Sequence, residues 1–452
     1  MRGSYDRPGK SPTTDLANPP QQTWQIPHDV VYRWPVASGL LVRFAEVAID
    51  AALRDTRVVV VTGARQVGKS TVVAALVGKR RKALVRTLDR PSELQSAKAD
   101  PEQFVMHDGL LVIDEVQRAP EILLPIKARV DASNRPGQFL LTGSARIWGL
   151  KSVPDTLVGR AETIELWPLS QGELAGNGRA ARTFVDILFA AQPVFPSDKL
   201  GAVTRDDYIE RALCGGFPEA TKRLGARRDR FFEAYVRDLI DRDVAILRDI
   251  ERRNDLLRLV RALASEMATL VKVERLASQL RISASTLERH VALLEDVFLC
   301  KRLPAWSNTQ TKRAVRSRKL LMVDSGLAAH LAGLSMRSLR GDPAKIGQLL
   351  ENFALGELAR QLGWSQASAH LFHYRTRDGE EVDAVLERND GQVVGVEVKA
   401  SMTVTRDDFR HLRHLATHAG KRFGCGVVLY TGHQVLPFGP KMWAVPMDAL
   451  WM

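Results

Sequence analysis

The sequence predicts an α/β protein in three parts: an open parallel sheet with a phosphate-binding loop, then a helical region, then a second, smaller α/β unit. Three observations predict it. Strand and helix patterns alternate from about residue 40 to residue 170, which implies a parallel sheet covered by helices on both faces. The first strand breaks into Gly63-Ala-Arg-Gln-Val-Gly-Lys-Ser70 and then turns helical. Beyond residue 205 the pattern is almost wholly helical, and strands return only near the end.

In chain order, a helix is expected over Leu41–Leu53, a strand over Val58–Val61, a helix over Ser70–Val77 and a strand over Ala83–Leu88. Strand Leu110–Ile113, helix Pro120–Val130 and strands Gln138–Leu141 and Glu162–Leu166 complete the first sheet. Gly63 and Gly68 allow turn geometries in which successive amides point at a nucleotide β-phosphate, and the following helix adds its positive end. Lys69 reaches the β- and γ-oxygens, and the Ser70 hydroxyl suits an octahedral Mg²⁺. The whole run Gly63, Ala64, Arg65, Gln66, Val67, Gly68, Lys69, Ser70 and Thr71 is read as a cradle for ATP.

Leu110–Ile113 ends in Asp114 and Glu115, at the carboxyl edge where open α/β sheets bind ligands. Asp114 is placed to hold Mg²⁺ and Glu115 to deprotonate the attacking water. The Thr142-Gly-Ser144 strand end offers a hydroxyl, Thr142 first, for the γ-phosphate or the lytic water. Arg160 is the candidate to supply positive charge to the transition state.

Gly172–Leu200 reads as a long connection. The helices after it carry Lys222, Arg223, Arg227, Arg228, Arg230, Arg237, Arg242 and Arg248. Leu276–Leu280, a tight turn, Ser285–Leu294 and the extended Val297–Leu303 have the order of a winged helix, with Ser283 or Ser285 as cap. Ser285, Thr286, Arg289 and His290 would then face a DNA groove, with Lys312, Arg313, Arg316, Arg318 and Lys319 adding phosphate contacts. Helix Ile346–Leu362, strands Leu371–Tyr374, Glu381–Leu386 and Val393–Val398, helix Asp407–Thr417 and strand Gly426–Tyr430 form the last unit.

With 65 Lys and Arg against 52 Asp and Glu, the net charge is +13, which favours a polyanionic partner and nucleic acid before membrane. No stretch approaches the roughly 18 apolar residues of a membrane helix, and the first residues are polar and Pro-rich rather than a secretory leader. Three scattered cysteines, Cys214, Cys300 and Cys425, fit reduced thiols in a cytoplasm.

The motifs Gly63–Ser70, Leu110–Glu115, Leu140–Ser144 and Val158-Gly-Arg160 with Trp167-Pro-Leu-Ser170 resemble those of a predicted AAA+-superfamily ATPase family widespread in bacteria and archaea. So do Gly215–Glu219, Tyr235–Asp238, Lys319–Asp324 with Gly326-Leu327, Leu350–Phe353, Glu380–Asp383 and Val396–Lys399. Members often have Pro where Ala64 stands and Thr where Ser70 stands, and neither departure removes a required donor. The resemblance implies an AAA-type ATPase domain, a winged helix and a nuclease-like terminal domain.

The order helix, strand, strand, strand, helix, strand resembles the PD-(D/E)XK nuclease core of restriction endonucleases and Holliday-junction resolvases. Glu397 and Lys399 point to one strand face, so Asp383 and Glu397 would bind Mg²⁺ and Lys399 would activate water. Glu351 would complete the site through a metal-bound water, with Glu357 the alternative. His411, His414 and His418 share a helical face, but that helix is amphipathic and they are not read as a metal site.

The expected organisation is an extended or disordered arm over residues 1–40 and a P-loop AAA-type domain over 41–171. A connection and helical linker over 172–255, a winged-helix-like domain over 256–320 and a nuclease-like domain over 321–452 follow. The expected activity is MgATP hydrolysis coupled to DNA. A nucleotide-gated switch acting on a protein and an ATP-licensed nuclease are the alternatives. An arginine acting in trans would make the protein a homo-oligomer.

Overall fold

The computed structural model describes residues 1, 41–78, 83–144, 157–177, 182–196, 200–244, 253–309 and 317–451. The expected amino-terminal arm and the basic residues Arg248, Lys312, Arg313 and Arg316 lie outside the described residues.

Five parallel strands form the first sheet: β1 (Val58–Thr62), β2 (Ala83–Thr87), β3 (Leu110–Asp114), β4 (Phe139–Gly143) and β5 (Ala161–Glu165), in the order β2-β3-β4-β1-β5. β1 lies between β4 and β5, and every one of its residues is buried. That is why it reads as an unbroken Val run rather than an alternating strand. Its residues divide by strand period: Val59 and Val61 pack with helix Ala45–Asp55 and helix Lys69–Val77, while Val58 and Val60 pack with Phe104 and Ile126 on the other side. The expected helix over Pro120–Val130 divides into a 3₁₀ turn, Pro120–Ile122, and an α-helix, Leu123–Ala132, with Pro125 in the first turn where its missing N–H is harmless.

The stretch from Gly172 is not a loose connection. A short helix, Gln171–Leu174, starts in a capping box of Ser170 and Glu173. Helix Phe184–Leu188 docks on the long helix Pro343–Gln361: the Val185 amide donates to Gln361 Oε1 at 3.2 Å, and Asp186 Oδ1 accepts from Ser365 Oγ at 2.6 Å. One apolar cluster accordingly runs from Ala45 to Trp451.

Helices Val273–Leu280 and Ala284–Asp296 lead into two antiparallel strands, β6 (Cys300–Leu303) and β7 (Lys319–Met322). Ser283 caps the second helix, its Oγ accepting from the Thr286 amide at 3.1 Å. Ser285 and Arg289 are exposed and Thr286 half-buried, but His290 is buried. It packs beneath the helix and cannot face a groove, which corrects the expectation for that residue.

The last sheet has six strands in the order β12-β13-β11-β10-β9-β8. They are β8 (Ala369–Arg375), β9 (Glu381–Arg388), β10 (Val393–Lys399), β11 (Phe423–Tyr430), β12 (Leu436–Pro437) and β13 (Met442–Pro446). β8, β9 and β10 are antiparallel neighbours, whereas β10, β11 and β13 run parallel. Helix Arg410–Ala419 supplies the crossover. The histidines on this helix go to different partners, His411 to Glu380 and His414 to the Tyr374 hydroxyl at 3.2 Å. Among the described residues no helix is long and apolar enough to cross a membrane.

Candidate functional site

The phosphate loop follows β1 directly. Gly63 has φ 151° and passes so close to β5 that a Cβ there would lie 2.1 Å from the Leu166 carbonyl oxygen. Gly68, at φ 95°, turns the chain into helix Lys69–Val77, whose start has no side-chain cap. Its first amides therefore keep their capacity for an anion. Lys69 is buried, and its Nζ donates to the Gly63 and Ala64 carbonyls, both at 3.0 Å. The ammonium is folded over the loop where phosphate oxygens would compete for it.

Ser70 Oγ donates to the Asp114 carboxylate at 3.1 and 3.3 Å. A hydroxyl and a carboxylate converging from the helix start and the end of β3 fit a hard divalent cation such as Mg²⁺. Thr142 is fully buried; its hydroxyl donates to Asp114 Oδ1 and accepts from the Glu115 amide at 3.2 Å. It orients those two acids.

Glu115 takes the left-handed conformation, φ 60°, at the turn after β3. Its Oε2 accepts from Gln117 Nε2 and from Ser144 Oγ at 3.3 Å, and Gln117 Nε2 also donates to Ser144 Oγ at 3.0 Å. A strained backbone and two polar neighbours thus hold the carboxylate that is suited to a general base. Ser144 was legible as a hydroxyl at a strand end; Gln117 carried no signal.

Arg160 sits at the opposite edge of the sheet. β5 pairs with β1 from Val58 opposite Ala161 to Thr62 opposite Glu165, so Arg160 is about 16 Å of strand from the loop after Thr62. It is bound to Asp131, with Nη2 to Oδ2 at 3.0 Å, and its side chain is 27% exposed. It does not reach the phosphate loop of its own chain.

The arginine that touches this loop is Arg43, which the sequence patterns did not single out. It is buried and donates from Nη1 to the Val67 carbonyl at 2.7 Å, from Nη2 to the Trp167 carbonyl at 2.7 Å and from Nε to Glu173 Oε1 at 2.9 Å. Glu173 also accepts from the Phe44 and Ser170 amides, each at 2.9 Å. The pattern Ser170-x-x-Glu173 was a readable capping box, although its grip on Arg43 was not.

The joint continues outward. Glu357, fully buried, accepts from the Gln171 amide at 3.1 Å and from Arg360 Nη1 at 2.8 Å. It is therefore not part of the terminal acidic site. Asp324 accepts from the Gly216 and Leu327 amides at 2.7 and 2.8 Å. Burial pushes Glu357 up to about 7 from 4.5, with Arg360 only partly opposing it. The folded protein then binds more protons than the unfolded chain between those values, so this group's contribution is present in acid and is lost as pH rises toward neutrality. Stability is expected to fall across that window by up to ~1.4 kcal/mol per pH unit from this group alone. Chemical denaturation of Glu357→Gln, whose amide keeps an acceptor for the Gln171 amide, should show a flatter profile over the same range.

In the terminal sheet Glu351, Asp383, Glu397 and Lys399 come together. Asp383 Oδ2 accepts from the Val398 amide at 2.9 Å, and Lys399 Nζ donates to Glu397 Oε1 at 3.0 Å. A fifth residue lies among them. Lys319, at the start of β7, is completely buried, and its Nζ is 2.6 Å from Glu351 Oε1, 3.1 Å from Glu381 Oε1 and 3.3 Å from Asp383 Oδ1. It is not a phosphate-binding surface lysine, as its basic neighbours suggested. Burial opposes its charge, but Glu351, Asp383 and Glu381 more than offset this and hold the ammonium above its ordinary pKa. Burial and then repulsion from Asp383 push Glu397 up to about 8 and raise Glu351 well above the carboxylate range. Among the described residues no three His, Cys, Asp or Glu are arranged to hold a metal ion. Of the expected metal ligands, Glu351 and Asp383 hold the Lys319 ammonium instead, and Glu397 pairs with Lys399.

Residues 55–175 match the AAA domain. This segment, which carries the phosphate loop, is similar to AAA domains. Residues 205–338 and 346–450 match two domains of unknown function, DUF8612 and DUF4143. Uncharacterized proteins of Mycobacterium bovis and Mycobacterium tuberculosis are each 28% identical to the chain over 413 residues, 90% of this chain and 84% of theirs. Solved structures with similar features include a Walker-type ATPase of Pyrococcus abyssi, 13% identical with a TM-score of 0.36, covering 64% of this chain and 94% of its own. DnaA of Aquifex aeolicus bound to AMPPCP is 14% identical with a TM-score of 0.27, covering 56% and 85%.

Proposed function

We propose that the protein binds MgATP at Gly63–Thr71, hydrolyses it, and couples that cycle to DNA held by its basic carboxyl-terminal half. The convergence of Ser70 and Asp114, with Lys69 over the loop and Glu115 held beside them, carries the reading. Lys69 and the amides from Gly63 to Thr71 bind and orient the β- and γ-phosphates. Mg²⁺, when bound at Ser70 and Asp114, neutralises charge on the phosphate oxygens. Glu115 takes a proton from water as its oxygen attacks the γ-phosphorus, and the bond to the ADP oxygen breaks. Arg160, on the far edge of the sheet, is suited to a neighbouring copy's nucleotide in a homo-oligomer.

The DNA half of the proposal rests on charge and placement. Arg227, Arg230 and Arg237 are exposed on one helix, and Ser285 and Arg289 stand out from the capped helix Ala284–Asp296 in a helix, turn, helix, strand order like that of a winged helix. Free Cys214 and a Cys425 thiol pushed up to about 12 by burial are inert structural thiols, consistent with a cytoplasmic location.

Steady-state hydrolysis with and without duplex or branched DNA tests the coupling, with Glu115→Gln as the blank. Several-fold stimulation that weakens steeply with salt, as counterion release requires, supports it. Tight MgATP binding with turnover indifferent to DNA overturns the coupling and favours a nucleotide-gated switch.

A further inference from the structure

We infer that the ammonium of Lys319 occupies the place of a divalent cation in the terminal acidic site, making that site a metal-free joint rather than a cleavage centre. The nuclease-like order of elements leads one to expect Mg²⁺ between Asp383 and Glu397, with Glu351 nearby. The residues do not fit it. Lys319 Nζ lies within 2.6 to 3.3 Å of Glu351, Glu381 and Asp383, at hydrogen-bonding distances from three carboxylates on two elements. An ammonium has three donors and is satisfied by three acceptors. A hard metal brought into the same space would stand against a positive charge that has no route to water, since Lys319 is completely buried.

The rest of the cluster follows from this placement. Four carboxylates, Glu351, Glu381, Asp383 and Glu397, face two ammoniums, Lys319 and Lys399. Glu397 has its own counter-charge, with Lys399 Nζ at 3.0 Å from its Oε1. Lys319 begins β7, whose Met322 amide and carbonyl are both held by the Asn352 side chain, at 2.9 and 3.2 Å. The lysine therefore ties β7 to helix Pro343–Gln361 and to β9, so removing it opens a joint as well as emptying a cation position. The terminal unit, on this inference, binds or docks without cutting.

Manganese uptake by the nucleotide-free full-length chain tests it. The wild type should take up no Mn²⁺ that is sensitive to Asp383→Asn. Lys319→Met should add a single Mn²⁺ per chain, lost again when Asp383→Asn is combined with it. Wild-type Mn²⁺ uptake that Asp383→Asn abolishes would overturn the inference. Should Lys319→Met fail to fold, Asp383→Asn alone decides, because Asn keeps an acceptor for the Val398 amide while removing the charge and the oxygen that face Lys319. Its melting temperature should fall, since a buried ammonium loses a counter-charge, and EDTA should leave the wild type unmoved. A rise on Asp383→Asn would mean that repulsion between carboxylates dominates and that Lys319 does not neutralise them.

Discussion

Glu115→Gln is expected to lower ATP turnover by about 10²- to 10⁴-fold while leaving MgATP binding nearly intact. The amide has the size of the carboxylate and keeps an oxygen for the Gln117 and Ser144 donors that hold Glu115 Oε2. It loses the basic site that accepts a proton from water. Binding should survive because Lys69, the loop amides and the Ser70–Asp114 pair are untouched. Fluorescent-nucleotide titration beside steady-state phosphate release separates the two effects. Turnover within about threefold of wild type would remove Glu115 as the base and point to a substrate-assisted route. Lys69→Ala should behave in the opposite way and lose affinity first, since the ammonium contacts phosphate in the ground state as well.

Much of this site was legible because its chemistry demands local patterns. A phosphate loop needs glycines at fixed spacing after a buried strand, and the carboxylates Asp114 and Glu115 need only follow an apolar run. These are short-range requirements, and β1, β3 and the helix after Gly68 stand where the sequence places them. The buried ion pairs were not legible. Arg43 and Glu173 are 130 residues apart, and Lys319 meets Asp383 across 64. A lysine before Leu320-Leu-Met reads as the exposed end of a strand next to other basic residues, and only the tertiary fold shows that three carboxylates enclose it. Arg160 was legible as a charge but not in its placement. A residue just before β5 lies at the amino end of a parallel strand, at the sheet edge away from the phosphate loop of its own chain. The strand β13 went unread because it is short, follows Pro440 and ends in Pro446, and its place is set by distant pairing with β11.

Arg43→Ala should destabilise the protein by about 3 to 5 kcal/mol, the range for leaving one member of a buried pair uncompensated. Glu173 would lose its counter-charge, and the Val67 and Trp167 carbonyls would lose their donor in a region that water does not reach. The Val67 contact makes the consequence functional as well. Val67 lies inside the phosphate loop, so its release should raise the KM for ATP along with the loss of stability. Arg43→Met combined with Glu173→Gln separates the two effects. Removing both charges should recover part of the stability, because an apolar side chain of similar length fills the space and Gln keeps an acceptor for one of the two amides, Phe44 or Ser170, that Glu173 holds. It should not recover nucleotide affinity, because nothing then holds the Val67 carbonyl. Denaturant midpoints read beside ATP titrations on the single and double variants would show this. If affinity returned together with stability, Arg43 would act only as packing, and the loop would hold its shape through Gly63, Gly68 and Lys69 alone.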